Sequence, residues 1–284
     1  MAGLTRYDNA DKVLDTQKII TSTWSDNTND VSTFFGTSFQ PNTQSVAVSN
    51  DATSSNAFFI EVYNTGSNQT LKEAQYAIAY GHKKGSGSKD FTNDEGAFGN
   101  SPSKVIYNQY RQLVYGDENQ NFTFNGTTPD DIYVINIERA RIKQGLKVGS
   151  LNLKLASGSA GNEGTVHLTD DSVTLSGSAT LTNLGRQFNL VSGSSGTMLS
   201  ATLAETYSCS YGFVYHDAGI IIMNPLALKT RIGRAAVDSQ YDITPSASLG
   251  SDGLNNKKLY HAISGAGSFI VDAEEKVSSQ FYFT

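Results

Sequence analysis

His216 directly precedes Asp217, and this is the pair of residue types in the chain best suited to general acid–base chemistry. The pair follows an apolar run, which places it at the end of a predicted strand, where a catalytic base and its orienting carboxylate are often found. However, consecutive side chains on a strand point in opposite directions, so adjacency alone does not make the hydrogen bond. The pair supports only a minor hypothesis, a hydrolase that acts on the cell envelope.

The other groups with catalytic potential are dispersed along the chain. None of the four histidines pairs with another at a metal-ligand spacing such as H-x-x-x-H; they are His82, His167, His216 and His261. Cys209, between two serines ahead of an apolar run, is better explained as a small buried residue than as a thiolate nucleophile. There is no G-x-S-x-G nucleophile elbow, and the carboxylates are too scattered for a glycosidase pair. The sequence therefore predicts a non-enzymatic protein without a metal or a cofactor.

Residues 81–89 read GHKKGSGSK, which invites comparison with a phosphate-binding loop. No register supplies G-x-x-x-x-G-K-[ST]. The dinucleotide pattern G-x-G-x-x-G also fails, because Asp90 stands where its last glycine is required. We interpret the segment as a mobile polar loop.

Composition and charge limit the partners. The net charge is −6 and the pI is about 5.2, which argues against a nucleic-acid partner, since such proteins carry a clustered basic face. The N-terminus lacks the apolar core of a signal peptide. The longest aliphatic run, residues 220–223, is far shorter than the ~20 residues of a membrane-spanning helix. We expect a protein made in the cytosol that is soluble, or that assembles there with other proteins, without a membrane partner.

The strongest helix signal lies near residues 102–115. Pro102 suits the first helical position after a capping Ser101, and Gly116 suits the C-terminal stop. An apolar face combines Ile106, Tyr110, Leu113 and Val114. Tyr107 and Tyr110 are candidate interface residues, and packing against the sheet is the alternative explanation for both.

Asp131 to Leu155 is the strongest β signal. Residues 132–137 are β-branched and aromatic, and three leucines alternate with polar residues at 151–155. With a turn at Gln144–Gly145, the stretch reads as a central hairpin. Arg139 and Arg141 are further interface candidates, with a solvated face as the alternative.

Short strands separated by turn signals are predicted along much of the chain. Residues 57–63 and 74–80 form a hairpin-like unit, residues 211–215 and 219–226 are buried strands, 229–256 is irregular, and β-type segments at 263, 269–271 and 281–283 end the chain. The predicted fold is mainly β, with sandwich-like antiparallel sheets, one or two short helices and long polar loops.

The predicted organisation is an N-terminal arm, residues 1–30, followed by a β-rich domain, residues 31–284. Lower sequence complexity after residue 156 leaves open a division of that domain there. Asn9 or Asp11 would cap a short helix in the arm, running through Val13, Leu14, Ile19 and Ile20. Such an arm either inserts into a neighbouring subunit or packs on its own domain.

Several stretches together resemble a family. They are YAIAYGHKKGSGS, SPSKVIYNQYRQLVYG, DDIYVINIERARIKQGLKVGSLNLKLASG, RQFNLVSGS, YGFVYHDAGIIIMNPLAL, LYHAISGAGSF and EEKVSSQFYF. In order and wording they resemble a virion structural protein of contractile-tailed phages that infect cyanobacteria. The resemblance covers most of residues 75–284. It implies that related chains continue beyond the last of these segments into a further domain.

The resemblance implies a non-enzymatic virion component of the tail or baseplate. Its partners would be other virion proteins and copies of itself in a homo-oligomer, and its location would be the virion, assembled in the host cytoplasm. Two alternatives remain open. One is a capsid decoration protein, and the other is a host-recognition or carbohydrate-binding β module, which the aromatic residues of 34–39 and 91–98 suggest.

Overall fold

The structure is a computed structural model that describes residues 12–25, 30–31, 59–64, 73–87, 102–157, 164–174, 179–199, 211–231, 243–246 and 255–282. Strands hold 49% of these residues and helices 18%. All strand neighbours run antiparallel within the described ranges. The predicted mainly β, sandwich-like fold with antiparallel sheets and a few short helices is confirmed.

A curled sheet forms the body of the molecule. In spatial order its strands are β2 (Asp30–Val31), β14 (Phe269–Ile270), β7 (Asn152–Ser157), β8 (Gly164–Asp170), β10 (Gly185–Ser194), β12 (Gly212–Tyr215), β13 (Ile220–Met223), β5 (Asp131–Ile137), β4 (Ala74–His82) and β3 (Phe59–Tyr63). Two short strands, β9 (Thr180–Thr182) and β11 (Thr197–Met198), also pair with β10.

The centre of this sheet is buried on both faces. β5, β12 and β13 read DIYVINI, GFVY and IIIM, and such short continuous apolar runs are typical of strands covered on both sides. β12 and β13 form a hairpin in which Tyr215 pairs with Ile220, and β13 in turn pairs with β5. The strands predicted at 132–137 and 211–215 are confirmed. The strand predicted at 219–226 is confirmed only over Ile220–Met223, because Asn224 caps a helix that begins at Pro225. The predicted hairpin of 57–63 with 74–80 is confirmed as β3 and β4.

Helices cover each face of the sheet. The helix α1 (Pro102–Tyr115) packs on one face, where Ile106, Tyr107, Tyr110 and Val114 contact apolar residues of β4, β5, β12 and β13. The helix α2 (Pro225–Arg231) begins directly after β13, and Asn224 caps it by accepting the Leu226 backbone N–H at 3.0 Å. The helix α3 (Asn255–Ala266) packs on the other face with Leu259, Tyr260 and Ile263. The predicted helix at 102–115 is confirmed with its bounds.

A second, small sheet joins the two ends of the described chain. β1 (Lys12–Ser22) and β15 (Asp272–Tyr282) are paired along eleven residues each, from Lys12 opposite Tyr282 to Ser22 opposite Asp272. The short strand β6 (Gly145–Leu146) pairs with β15 at Ala273 and Glu274. We call β1 and β15 together the terminal ribbon.

The predicted central hairpin is wrong. β5 pairs with β4 and β13, and β7 pairs with β8 and β14. Four strands, β8, β10, β12 and β13, therefore lie between β5 and β7 in the sheet. The residues between β5 and β7 do not form a tight turn, because they include β6, which pairs with β15 in the small sheet. β7 spans position 156 and shares its sheet and one apolar core with β5, so residues on both sides of that position belong to one packed unit.

Three local predictions also differ from the structure. The helix predicted through Val13 and Ile20 is the strand β1, because pairing with β15 supplies its backbone hydrogen bonds. Ile263, predicted in a β-type segment, lies in α3, whose N-terminal residues fall in the stretch predicted to be irregular. Leu113, predicted on the apolar face of α1, is 42% exposed. Cys209, Ser101 and the aromatic residues of 34–39 and 91–98 lie outside the described residues.

Candidate subunit interface

The structure separates His216 from Asp217. His216 is fully buried, and its Nε2 lies 3.5 Å from Oδ2 of Asp170, at the end of β8. The Asp217 carboxylate instead accepts hydrogen bonds from the Arg186 guanidinium, the shortest at 2.6 Å, and from the Arg186 backbone N–H at 2.7 Å. His216 therefore faces a carboxylate that sequence adjacency did not indicate, at a position closed to solvent.

Asp170 is the centre of a buried polar cluster. Its carboxylate accepts the backbone N–H groups of Gly149 and Ser172, each at 3.2 Å. Burial alone would raise the pKa of Asp170, but His216 and the Ser172 hydrogen bonds outweigh burial and lower it. The neighbouring Asp171 accepts the backbone and side-chain N–H groups of Asn189. This cluster joins β8 to β10 and to the turn before β7, which is a structural role.

The loop after β4 closes on His82. Its Nδ1 accepts the backbone N–H groups of Lys84 at 3.0 Å and Ser86 at 3.2 Å, and burial lowers the pKa of His82. Residues 83–87 therefore form a defined turn with its N–H groups directed to the imidazole. In the ranges that the structure describes, no group of three His, Cys, Asp or Glu residues is placed to hold a metal ion.

The tyrosine interface candidates lie inside the molecule. Tyr107 is fully buried, its ring packs edge-on against Phe122 at 5.4 Å, and its hydroxyl accepts the Phe122 backbone N–H. Tyr110 is also buried, and burial raises its pKa to about 12. Both side chains match the packing alternative, since they hold α1 to the sheet.

The arginine interface candidates lie in the turn after β5 and bind their own chain. Arg139 is exposed, and its Nη1 donates to the carbonyl of Lys143 at 3.0 Å. Arg141 is mostly covered and pairs with Glu73 at 3.1 Å. Within the described residues, Arg139 is thus the one of the four candidates that solvent reaches freely.

A further candidate surface is the terminal ribbon. Its strand β1 lies in the predicted arm, residues 1–30, whereas its strand β15 was not predicted to be an interface. The outer part of the ribbon, residues 13–20 and 276–281, is exposed on both faces. Six large apolar side chains in this part are 40% to 59% exposed: Val13, Leu14, Ile19, Ile20, Val277 and Phe281. A two-stranded ribbon by itself is marginally stable in water, and clustered exposed apolar side chains mark interaction sites. Within the described residues, the ribbon therefore has the properties of a contact surface.

The base of the ribbon is firmly held, in contrast to its tip. Lys18 pairs with the buried Glu274 at 2.7 Å, and the Asp272 backbone N–H donates to the Ser150 hydroxyl at 3.0 Å. The Gln144 amide hydrogen-bonds to both backbone groups of Lys276. Trp24, which follows β1, is buried and donates its indole N–H to the Phe269 carbonyl. The ribbon is thus a projecting arm with a fixed root.

A groove lies between α1 and the β3 edge of the sheet, with a volume of about 420 Å³. Its floor is formed by Ala77 and Ala79, whose small side chains leave space beneath the helix. The remaining lining residues combine aromatic, amide and carboxylate groups with Val105 and Ile106: Phe59, Glu61, Gln109, Tyr110, Asn136 and Glu138. A volume of this size, with an apolar floor and a few polar groups, suits a small ligand.

No protein-family model, curated protein or solved structure matches the chain. Among the described helices, none has the length and apolar character needed to cross a membrane.

Proposed function

We propose that this chain is a non-enzymatic structural component of a tailed phage particle, in the tail or baseplate, that acts through subunit–subunit contacts. The terminal ribbon is the observation that carries the proposal. It projects two strands with exposed apolar side chains on both faces, and an open strand edge is a template for pairing with another chain.

The remainder of the molecule suits the same role. The sheet centre is buried on both faces and braced by helices, so it forms a rigid body from which the ribbon extends. The histidine–aspartate pair that suggested a hydrolase is separated, and its imidazole is buried. The assignment to a phage tail or baseplate rests on the family resemblance of residues 75–284.

Gold-labelled antibody against the chain, applied to intact particles and viewed by electron microscopy, tests the proposal. We expect gold at the tail or baseplate. Gold on the head instead would transfer the structural role to capsid decoration. If neither intact nor disrupted particles carry gold, the virion role is rejected.

The groove favours a second candidate function, a host-recognition module that binds saccharides. Phe59 offers aromatic surface for the apolar face of a sugar ring, while Gln109, Asn136 and Glu138 offer hydrogen-bonding groups for its hydroxyls. These groups converge on one concave surface.

A glycan array followed by titration of any bound saccharide tests this second candidate. We expect Gln109→Ala and Glu138→Gln to weaken binding, since both side chains line the groove. Leu113→Ala is the matched control on the same helix, because Leu113 is exposed and does not line the groove. An array without signal, or equal loss in the control, would reject saccharide binding there.

A further inference from the structure

The terminal ribbon has one edge that no described strand occupies. The small sheet has the order β1–β15–β6, so β15 is paired on both sides near its root, whereas β1 is paired only with β15. The Gln144 amide also covers the β15 edge at Lys276. Among the described strands, the outer edge of β1 is therefore the longest edge of the ribbon without a paired strand.

The charges of β1 do not block this edge. Edge strands are usually protected by lysine, proline or inward-pointing charges. β1 contains no proline, and its central charges already have partners in the ribbon: Lys18 pairs with Glu274 at 2.7 Å, and Asp15 accepts the Gln17 amide at 3.3 Å. An approaching strand would not leave either charge without a partner.

We infer that β1 pairs antiparallel with β1 of a second copy of this chain, about a twofold axis through Thr16. This inference rests on the proposed structural role and names the partner. The pairing joins two ribbons into one four-stranded sheet in the order β15–β1–β1–β15. Three or more strands with an apolar face reach independent stability, whereas two do not.

The sequence of β1 selects this register. With the axis at Thr16, Val13 lies opposite Ile19 twice and Asp15 lies opposite Gln17. The two lysines, Lys18 and Lys12, lie opposite Leu14 and Ile20, where a lysine can lay its alkyl stem along the apolar residue and keep its ammonium group in water. Shifting the axis to Gln17 would place the Asp15 carboxylate opposite Ile19, where its desolvation is uncompensated. A twofold axis perpendicular to the sheet leaves each residue on the same face in both copies. Opposite residues must share a face and side chains alternate along a strand, so the axis must pass through a residue and not between two residues.

Cysteine crosslinking of the purified full chain tests the pairing. In a Cys209→Ser background, Thr16→Cys places two thiols opposite each other at the axis, within the distance that a disulfide requires. The matched control is Ser278→Cys. Ser278 lies opposite Thr16 within the ribbon and is also exposed. In the proposed dimer, however, the two residues at position 278 would be three strand spacings apart, roughly 14 Å.

Under mild oxidation we expect the Thr16→Cys chain to give at least about tenfold more covalent dimer than the control, because paired thiols have a high effective concentration. Light scattering of the wild-type chain should show a dimer that Ile19→Lys reduces to monomer. Equal crosslinking at both positions overturns the pairing, and preferential crosslinking through Gln17→Cys overturns the register. A chain that is monomeric in solution yet labelled on particles by gold overturns self-pairing and leaves the proposed function standing.

Discussion

The charge of Asp170 supports the fold, because its buried carboxylate faces His216 and two backbone N–H groups. Asp170→Asn keeps the shape but removes the charge, and we expect a loss of about 1–3 kcal/mol in the free energy of unfolding. Asp15→Asn on the exposed ribbon is the control, with a change within about 0.5 kcal/mol. Urea unfolding measures both, and equal effects would contradict the role of Asp170.

The same carboxylate gives the stability a pH dependence of known sign. The folded-state pKa of Asp170 is below its ordinary value, near 4 for aspartate, since His216 and the Ser172 hydrogen bonds outweigh burial. Its contribution is therefore full above about pH 4 and is lost as the pH falls through the folded-state pKa. Burial raises the pKa of Asp171, so ionisation of Asp171 lowers the free energy of unfolding as the pH rises, which is the opposite of the effect of Asp170. The gap between wild type and Asp170→Asn should accordingly narrow below pH 4, and a constant gap would refute the assignment.

Substitutions at two glycines distinguish the energetic cost of a left-handed backbone conformation from the cost of side-chain crowding. Gly126 has φ +80° with open space around an added Cβ, whereas Gly185 has φ +88° and its added Cβ would lie 2.4 Å from Oδ2 of Asp217. Gly126→Ala should cost about 1–2 kcal/mol, the left-handed penalty alone. Gly185→Ala should cost a further 1–3 kcal/mol, roughly, from overpacking. Thermal unfolding compares the two, and equal losses would show that Asp217 moves aside without cost.

At the scale of elements, the buried face of α1 differs by one residue from the face that helical periodicity indicates. Val114 is 2% exposed and Leu113 is 42% exposed, although both were predicted on the apolar face. Val114→Ala should destabilise the protein by roughly 1.5–3 kcal/mol through lost burial and a cavity. Leu113→Ala should change stability by less than about 0.5 kcal/mol. The reverse order in chemical denaturation would place the contact face elsewhere.

Elements with a complete local signal could be predicted from the sequence. The helix α1 was predicted with its bounds because Pro102 and Gly116 mark its two ends, and Gly116 adopts φ +67° at the C-terminal stop. The β12–β13 hairpin was predictable because both strands are continuous apolar runs around a turn. The strand β1 was not, because its apolar residues occur in adjacent pairs, Val13–Leu14 and Ile19–Ile20, and a strand exposed on both faces lacks alternation.

At the scale of the whole molecule, the unpredicted features are long-range pairings. Nothing in the sequence near Lys12 identifies Tyr282 as its partner, and nothing near Ile137 excludes a hairpin with β7. The candidate interface follows from these pairings, because β1 acquires an open edge only when β15 occupies the other one. Tyr107, Tyr110 and Arg141 were plausible anchors by residue type, but the sheet order directs their side chains into the chain's own contacts.

The molecule combines a protected body with an exposed ribbon that we propose is protected by association, and hydrogen exchange should separate the two. In dilute solution, amides of residues 13–20 should exchange far faster than those of β5 and β13, because a two-stranded ribbon opens locally at little cost. Raising the protein concentration should slow exchange in β1 as its outer N–H groups pair with a second copy, while β13, which is paired on both sides, stays unchanged. If β1 exchanges as slowly as β13 at the lowest protein concentration, the ribbon is stable alone. If exchange in β1 does not depend on protein concentration, self-pairing does not protect it.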